Sequence, residues 1–450
     1  MTLSLVGVTV LCLYATVTED HLFFKLGETM ENVITPCSPC VPKLEKDKSE
    51  GRFYKFSTSS SFRFYAYSAF YDDRLSLLSD PVIRIIAISD DFVKFKNITP
   101  SFEMICVLIH VHGTMRVKME AQPLPCGPGS SLNGKDAMPY VYTCPASGIV
   151  PHFLRIETTN SGPGVTSCMP IEFPRKRRKP KSFAVCVPVS YGNLDPYHLI
   201  EWLELQRMLG VEFLSVYNLY LGSEALKAFQ HYAESDKFVQ MRKMDKIYSF
   251  EYNAHILELA VSLNDCLYRN MYRVKRIMVA DVDEFIKPLK HQNLAQLVGF
   301  LERTLTFNRS VNYVIRNDYY FLELEPDATI SKYFKILRYR KKADVSPPLH
   351  RVKPIIVTMS CTHMFSHLCL GLTARYSNRE LFESIDPDIA LNQHYRLCPL
   401  TPTECSDAMA NATQDDAMLV YYDALRAKVK SKIEAIMGNV SPTNRFIGNI

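Results

Sequence analysis

The feature that most constrains the fold is an alternation of strand-like and helix-like stretches between residues 183 and 285. Short apolar runs alternate with longer stretches whose apolar residues recur every three or four positions. The predicted strands are Phe183–Val189, Phe213–Tyr217, Val239–Met244 and the run from Arg276 into Asp281, and the predicted helices are Pro196–Leu209, Ser223–Tyr232 and Ala254–Tyr272. Strands that are joined by helices pair in parallel through right-handed crossovers. We therefore expect an α/β fold with a mostly parallel sheet.

The last of these strands ends in three carboxylates, at Asp281, Asp283 and Glu284. Parallel sheets bind ligands at the carboxyl ends of their strands, so the acids lie where chemistry is expected. Two carboxylates side by side need a cation, and oxygen ligands suit Mg²⁺ or Mn²⁺, with nucleotide phosphates as further ligands. The pattern therefore predicts a metal–nucleotide site, with a pair of solvated loop acids as the alternative.

Several other classes of site fit the sequence less well. A phosphatase of the haloacid-dehalogenase type needs Thr or Val two residues after the second Asp, where this chain has Phe285. A calcium loop needs further oxygen ligands and a glycine just downstream, and the chain supplies neither there. The sequence has no P-loop, no G-x-G-x-x-G and no G-x-S-x-G, which argues against P-loop NTPases, kinases, dinucleotide oxidoreductases and serine hydrolases.

The chain's 450 residues exceed what one hydrophobic core usually supports, so we expect two domains. Residues 19–173 are predicted to form a smaller β-rich domain, because strand-like runs separated by turn residues fill them without a long helical period. Residues 182–440 are predicted to form the catalytic domain. The basic, proline-flanked segment 174–181 is interpreted as a solvated linker, with cleavage by a basic-site protease as the alternative.

The charge of the chain gives no reason to expect a nucleic-acid partner. The segment from Arg175 to Lys181 holds six of the 52 Lys and Arg residues. Without that segment, the 47 acidic residues slightly outnumber the basic ones. The basic character is therefore local.

The N-terminus and the cysteines indicate the secretory pathway. Residues 1–18 contain an apolar stretch that is short for a membrane-spanning helix and suits a signal peptide or a short signal anchor. Apart from Cys12, an even set of cysteines is compatible with disulfide bonds, and four N-x-S/T sequons are potential glycan acceptors. We expect a location in the Golgi or endoplasmic reticulum lumen, with any membrane contact made through the N-terminal segment only.

Seven short features follow one another in order between residues 183 and 400. They are Cys186–Pro188, Glu201–Trp202 with Leu209–Val211, Val216–Asn218, Asn264–Cys266, Asp281–Phe285, Lys353–Pro354 leading to His363, and His394–Arg396. Together they resemble glycosyltransferase family 92, formerly a domain of unknown function. The resemblance implies a GT-A type fold, a UDP-sugar donor, typically UDP-galactose, and a divalent ion such as Mn²⁺ or Mg²⁺. It also implies inverting transfer of galactose to a glycan or glycoprotein acceptor, often fucose of an N-glycan core.

The resemblance further implies roles for single residues. Asp281 and Asp283 would hold the metal ion against the donor diphosphate, with His363 or His394 as a third ligand. Glu284 would orient ligands or sugar hydroxyls. Donor contacts are implied for Pro188, for Tyr217 and Asn218 near uridine, and for Lys353 and Arg396 near phosphate. Cys266 is expected to form a disulfide.

Inverting transfer needs a general base on the acceptor hydroxyl. The candidate carboxylates are Asp318, Glu383, Asp386 and Asp388, and the sequence does not choose among them. Two alternative functions stay open: a transferase for another nucleotide sugar, and an inactive relative that binds glycans or partners. A metal-dependent phosphatase is a weaker third alternative because of Phe285.

Overall fold

The structure, a computed structural model, describes residues 53–57, 62–74, 80–90, 92, 97, 102–124, 137–158, 168–246, 255–304, 310–373 and 380–438. The predicted N-terminal segment 1–18 and the sequons at Asn308 and Asn439 lie outside these residues, whereas Asn97 and Asn411 are exposed. Within the described part of the chain, no helix combines the length and the apolar character that a membrane crossing needs.

Nine strands form among the described residues between 54 and 170. They are β1 (Tyr54–Ser57), β2 (Arg63–Asp72), β3 (Val82–Asp90), β4 (Met104–His110), β5 (Gly113–Lys118), β6 (Glu120–Pro123), β7 (Ala137–Pro145), β8 (Phe153–Thr158) and β9 (Met169–Pro170). They build two antiparallel sheets, in the orders β1-β2-β3-β7-β6 and β5-β4-β8-β9. Apolar side chains of both sheets share one core, and a disulfide between Cys106 and Cys144 joins β4 to β7.

A seven-stranded sheet forms the centre of the molecule. Its strands are β10 (Lys181–Gly192), β11 (Leu214–Leu221), β12 (Val239–Lys243), β13 (Val274–Val279), β15 (Ser310–Ile315), β18 (Lys353–Val357) and β21 (Glu380–Ser384). Their order is β12-β11-β10-β13-β18-β15-β21. The first four are parallel, as the helical connections require. Because β18 is antiparallel to both its neighbours, the sheet as a whole is mixed.

Three helices connect the parallel strands, and three more follow. They are α1 (Pro196–Met208), α2 (Ser223–Glu234), α3 (Ile256–Asn270), α4 (Leu294–Thr304), α5 (Pro402–Ala410) and α6 (Tyr422–Met437). Helix α1 begins where the Asp195 side chain accepts hydrogen bonds from two backbone N–H groups and Pro196 takes the first helical position. It ends before Gly210, whose positive φ of 89° suits glycine. The local signals therefore set the helix limits.

A three-stranded sheet stands beside the end of β13. It contains β14 (Glu284–Pro288), β16 (Asn317–Phe321) and β22 (Ala390–Arg396), in the order β14-β22-β16. The register places His394 of β22 opposite Glu284 on one side and Tyr319 on the other. Four short strands complete the fold: β17 (Lys341–Lys342), β19 (Cys361–Met364), β20 (Cys369–Leu372) and β23 (Thr413–Gln414).

Each face of the central sheet is covered by its own core. Side chains alternate along a strand, so Val185 and Val187 of β10 enter the core that contains α1, α2 and α6. Ala184 and Cys186 enter the other core, which contains α3 and also residues of β2, β3 and β7. Helix α3 is therefore buried between two sheets, and its buried residues include polar ones such as Asn264 and Asp265 as well as apolar ones.

Disulfide bonding, which the cysteine content predicted, is confirmed. Besides the Cys106–Cys144 pair, Cys186 of β10 is bonded to Cys266 of α3. The other two described pairs are Cys361–Cys369, which links β19 to β20, and Cys398–Cys405, which links the end of β22 to α5. The predicted role of Cys266 is thus correct.

Candidate functional site

The three predicted acids lie in the tight turn between β13 and β14. The backbone N–H of Asp281 donates to the Glu284 carboxylate at 3.0 Å, and the N–H of Glu284 donates to the Asp281 carbonyl at 3.2 Å. The side chains of Asp281 and Asp283 are 49% and 29% exposed, whereas that of Glu284 is fully buried. A ligand can therefore contact the two aspartates, whereas Glu284 can influence the ligand only through its neighbours.

Lys353 binds two of these acids. Its ammonium forms an ion pair with Glu284 and lies 3.2 Å from the Asp281 carboxylate. Burial alone would raise the pKa of Glu284, but the charges of Lys353 and His394 outweigh it and lower the pKa to about 2. The same two acids raise the pKa of Lys353 above its usual value despite its burial. The pair is therefore ionised.

His394 bridges the acids from β22. Its Nε2 lies 3.5 Å from an Asp283 oxygen, and its Nδ1 lies 3.2 Å from a Glu284 oxygen. The imidazole stacks on Tyr319, with 5.4 Å between ring centroids. Burial would raise the pKa of Asp283, but the hydrogen bond and charge of His394 lower it. Burial and the charge of Glu284 raise the pKa of Asp281, so the two aspartates differ although they are two residues apart.

Buried polar groups hold Glu284 in place. The Asn392 side-chain amide donates to the Glu284 carboxylate at 3.0 Å and to the Asn317 side chain at 2.7 Å. The Trp202 indole donates to the Glu284 backbone carbonyl at 2.7 Å. These contacts join α1, β14, β16 and β22, and no local sequence signal could have assigned them.

Lys335 is a cation of the site that the sequence did not single out. Burial lowers its pKa, while the charges of Asp283 and Glu201 act in the opposite direction. The buried Glu201 carboxylate of α1 accepts the backbone N–H groups of residues 335, 336 and 337 at 2.6, 2.9 and 3.1 Å. Glu201 therefore fixes the loop that brings Lys335 near Asp283.

Two histidines, His363 and His367, lie in the β19–β20 hairpin. His363 lies on β19, where its Nδ1 is 3.1 Å from the Thr362 hydroxyl. Burial and the positive charge of Arg84, which belongs to β3, lower the pKa of His363, and its role as a metal ligand stays a prediction. His367 lies between β19 and β20 with its Nδ1 2.7 Å from the carbonyl of Val352, the residue before Lys353, and burial and the charge of Lys353 lower its pKa.

Tyr217 also lies away from the position expected of a uridine contact. It is fully buried, and its hydroxyl donates to Asp265 of α3 at 2.5 Å. Asp265 in turn pairs with Arg269, so Tyr217 belongs to a polar network beneath the sheet. The expected contact with uridine is therefore corrected: the ring has no surface to offer a nucleotide.

Two other tyrosines are exposed at the carboxyl ends of β10 and β11. Tyr191 and Tyr220 are 45% and 48% exposed, and both rings pack against His255. The pKa of Tyr191 is raised by burial and by the negative charges of Tyr220 and Asp281, which places this ring on the side of the acidic turn.

The remaining predicted donor residues lie in strands β10, β11 and β22. Pro188 sits at a bulge of β10, where its missing N–H is tolerated, two residues beyond the carbonyl that binds the Ala280 N–H. Asn218 is half-buried in the middle of β11, paired with Ser190 of β10, and its side chain accepts the Leu221 N–H at 2.9 Å. Arg396 is two residues beyond His394 and lies on the same face of β22.

The structure separates the four candidate general bases. Asp318 neighbours Tyr319 in β16, so it faces the side opposite to His394 and pairs with Lys342 at 3.1 Å. Burial, only partly offset by Lys342, raises the pKa of Asp318 to about 6. Glu383 is half-buried in the edge strand β21. Asp386 and Asp388 are exposed in the turn that leads from β21 to β22.

The ligand types fit a divalent ion only in part. Asp281, Asp283 and His394 offer carboxylates and an imidazole, which Mn²⁺ accepts. Among the described residues, no group of three or more His, Cys, Asp or Glu side chains is arranged to hold a metal ion alone. Ions that bind through one or two carboxylates and substrate phosphates need no complete protein cage. The residues therefore fit an ion that a bound diphosphate holds jointly.

Similar solved structures share little of the chain. The apo structure of the WbbM bifunctional glycosyltransferase is 10% identical over 36% of this chain and 27% of its own, with a TM-score of 0.19. HddC from Yersinia pseudotuberculosis is 10% identical over 55% of this chain and 99% of its own, with a TM-score of 0.24. The bifunctional IspDF from Campylobacter jejuni is 12% identical over 46% and 51%, with a TM-score of 0.21. The matched part thus spans about a quarter of WbbM and half of IspDF, and scores this low carry no argument.

The family comparison is decisive. No curated protein matches the chain. The sequence profile of glycosyltransferase family 92 matches residues 181–426, which is more than half of the chain and includes the acidic turn, Lys353 and His394. The match assigns a glycosyltransferase activity, which implies a nucleotide-sugar donor and a glycan acceptor, and together with the disulfides it indicates a secretory-pathway lumen. The chain belongs to glycosyltransferase family 92.

Proposed function

We propose that the chain transfers galactose from UDP-galactose to a glycan, with inversion and with Mn²⁺ or Mg²⁺, on a GT-A type fold. One observation carries the proposal: two partly exposed aspartates end a parallel strand, and a buried layer of Glu284, Lys353 and His394 stands behind them. Parallel sheets bind nucleotide ligands at this edge. Fucose of an N-glycan core, presented in the Golgi, is the proposed acceptor.

The chain's own residues have distinct tasks in this reaction. Asp281 and Asp283 would hold the ion, with His394 or His367 as a further ligand. A bound ion would neutralise the charge that develops on the leaving diphosphate. Lys335 adds a fixed positive charge near Asp283, where that charge also develops. Glu284 positions Lys353 and His394 and does not contact the substrate.

The nucleoside is proposed to contact the strand ends of β10 and β11. The exposed rings of Tyr191 and Tyr220 can stack on a base, which the buried Tyr217 cannot. Pro188 and Asn218 lie at the same edge of the sheet. Arg396 shares a face with His394 and is proposed to contact phosphate.

The general base is proposed to be Asp386 or Asp388. In the transfer, the acceptor oxygen forms a bond to the sugar carbon as the bond from that carbon to the phosphate oxygen breaks, and the acceptor proton moves to a carboxylate. Asp386 and Asp388 are exposed, whereas Asp318 is fully buried with Lys342 on the other face of β16. An acceptor can therefore reach Asp386 and Asp388, but it cannot reach Asp318.

The test is UDP release by the purified protein with UDP-galactose and Mn²⁺, with and without a fucosylated N-glycan. Asp283→Asn should lower kcat about a hundredfold or more, because it removes one of the two proposed ion ligands. Asp423→Asn, an exposed acid of α6, is the matched control and should keep full activity. Asp386→Asn or Asp388→Asn should abolish transfer to the acceptor. Equal activity of Asp283→Asn and Asp423→Asn would refute the assignment of the site.

A second candidate is a relative that binds nucleotide sugars or glycans without turnover. The observation in its favour is that the Lys353 ammonium already lies between Asp281 and Glu284, where it supplies positive charge without a metal. Calorimetric binding without UDP release, across a panel of UDP-sugars, would support this candidate. Turnover with a different UDP-sugar would support a transferase with another donor.

A further inference from the structure

The basic segment before β10 is not explained by the transferase site. Arg175, Arg177, Arg178 and Lys179 are all exposed. These four residues precede the part of the chain that the family profile matches, which begins at residue 181. The family match therefore does not account for the positive charge of these four residues.

The fold brings further arginines to this segment. Arg273 lies between α3 and β13 and donates a hydrogen bond to the Gln240 side chain of β12 at 2.7 Å. The segment runs directly to this residue, because the Lys181 N–H donates to the Arg273 carbonyl at 2.9 Å and Lys181 pairs with Val274. In agreement, burial and then the positive charges of Arg177, Arg242, Arg269 and Arg175 lower the pKa of Arg273. We call the set Arg175, Arg177, Arg178, Lys179, Arg242 and Arg273 the basic patch.

Acids near the basic patch are paired with other cations. The pairs are Arg269 with Glu172 and Asp265, Lys176 with Asp73, and Lys181 with Glu212. Arg177, Arg178, Lys179 and Arg242 form no ion pair with another described residue. Crowded cations of this kind repel one another and favour an external anion.

The basic patch is distinct from the acidic turn. Arg273 precedes β13 and Asp281 follows it, so the length of this six-residue strand, about 20 Å, lies between them. A diphosphate at the acidic turn would not reach Arg273. The anion that the patch attracts is therefore a ligand other than the nucleotide-sugar donor.

We propose that the basic patch binds an anionic polysaccharide that carries sulfate or carboxylate groups. Guanidinium groups bind such oxyanions through paired hydrogen bonds. All six patch residues are arginine or lysine, and four of them lie in one short exposed segment. Disulfides and the family indicate a lumenal protein, where nucleic acid is not a partner. Anionic lipids concentrate in the cytoplasmic leaflet, which makes a membrane the weaker match. The patch would hold a charged glycan near the enzyme and raise its local concentration.

Heparin is the probe for the test, with the full-length protein at about 0.15 M salt. The triple variant Arg177→Gln/Arg178→Gln/Lys179→Gln should bind heparin about tenfold or more weakly, and its affinity should depend less steeply on salt. Arg242→Gln should weaken binding to a smaller extent. The control Lys227→Gln/Lys428→Gln/Lys430→Gln removes three exposed lysines elsewhere and should change the affinity less than about twofold.

A charge-conserving variant and a lipid-binding measurement complete the test. Arg177→Lys/Arg178→Lys retains the charge but loses the paired guanidinium hydrogen bonds, so it should bind heparin more tightly than the triple variant and less tightly than wild type. A thermal unfolding midpoint of the triple variant equal to that of wild type excludes misfolding as the cause of its loss. Vesicles that contain phosphatidylserine test the lipid source. Equal losses in the triple variant and its control, or tighter binding to the vesicles than to heparin, would overturn the proposal.

Discussion

At the scale of single residues, position in the fold decides which side chains can do chemistry. Asp281 and Asp283 share a turn, yet burial and Glu284 raise the pKa of the first despite Lys353, whereas His394 lowers the pKa of the second despite burial. The sequence identified these acids because they follow an apolar run. It did not identify Lys335, since nothing near Lys335 in the sequence marks its approach to Asp283.

The two hairpin histidines provide a matched residue-scale prediction. His367→Ala should raise the Mn²⁺ concentration needed for half-maximal UDP release, because the ring lies against the Val352 carbonyl, next to the Lys353 that pairs with Asp281 and Glu284. His363→Ala should leave it unchanged, since that ring faces Arg84 and Thr362. A Mn²⁺ titration of UDP release by both variants measures this difference. A larger effect from His363→Ala would support His363 as the third metal ligand, the role that the family resemblance implies.

At the scale of elements, local signals defined the crossover helices and parallel strands well. Asp195, Pro196 and Gly210 fix the limits of α1, and the observed strands β10 to β13 overlap the predicted runs. The three-stranded sheet was not predicted, because its strands are distant in the sequence and only their pairing makes them a sheet. That pairing brings His394 to Glu284.

The Cys186–Cys266 disulfide gives an element-scale prediction. It links β10 to α3 across 80 residues, whereas Cys398–Cys405 closes only seven. From loop-closure entropy, Cys186→Ser/Cys266→Ser should lower the free energy of unfolding by about 4.5 kcal/mol, and Cys398→Ser/Cys405→Ser by about 2.4 kcal/mol. Denaturant unfolding under oxidising conditions measures both. Equal losses would show that loop length does not set the stabilisation here.

At the scale of the whole molecule, the N-terminal sheets and the central sheet are packed together. Side chains of β2, β3 and β7 join the core around α3. The guanidinium of Arg74 pairs with Asp72 at 2.9 Å and donates to the carbonyls of Thr358 and Cys361, at 2.8 and 2.6 Å. The sequence placed a boundary at residues 174–181, but it contained no sign of these contacts across it.

Removal of the Asp72 carboxylate should weaken this junction. Asp72→Asn leaves Arg74 buried without its partner, which should cost about 3–5 kcal/mol in the free energy of unfolding. Denaturant unfolding measures the cost, and Asp80→Asn, at an exposed acid, is the control. A loss no larger than that of the control would show that the pair does not hold the junction.

The pH dependence of this effect has a defined sign. Burial would raise the pKa of Asp72, but Arg74 outweighs it and lowers the pKa from 3.8 to about 2. Between these values the unfolded chain binds more protons, so stability rises with pH. The contribution of Asp72 should be complete above about pH 4 and should disappear as the pH falls through 2. An unfolding series over this range, on wild type and Asp72→Asn, should show the two stabilities converge in acid.

The sequence by itself determined the α/β class, the crossover helices, the acidic turn and the use of disulfides. Each follows from residues close together in the chain, whose periodicity, caps and composition act locally. Only the tertiary structure decided which distant side chains meet the acids. It brought Lys353, His394, Lys335 and His367 to the turn and buried Tyr217 against α3. Those contacts depend on long-range strand pairing and loop paths, which no local pattern encodes.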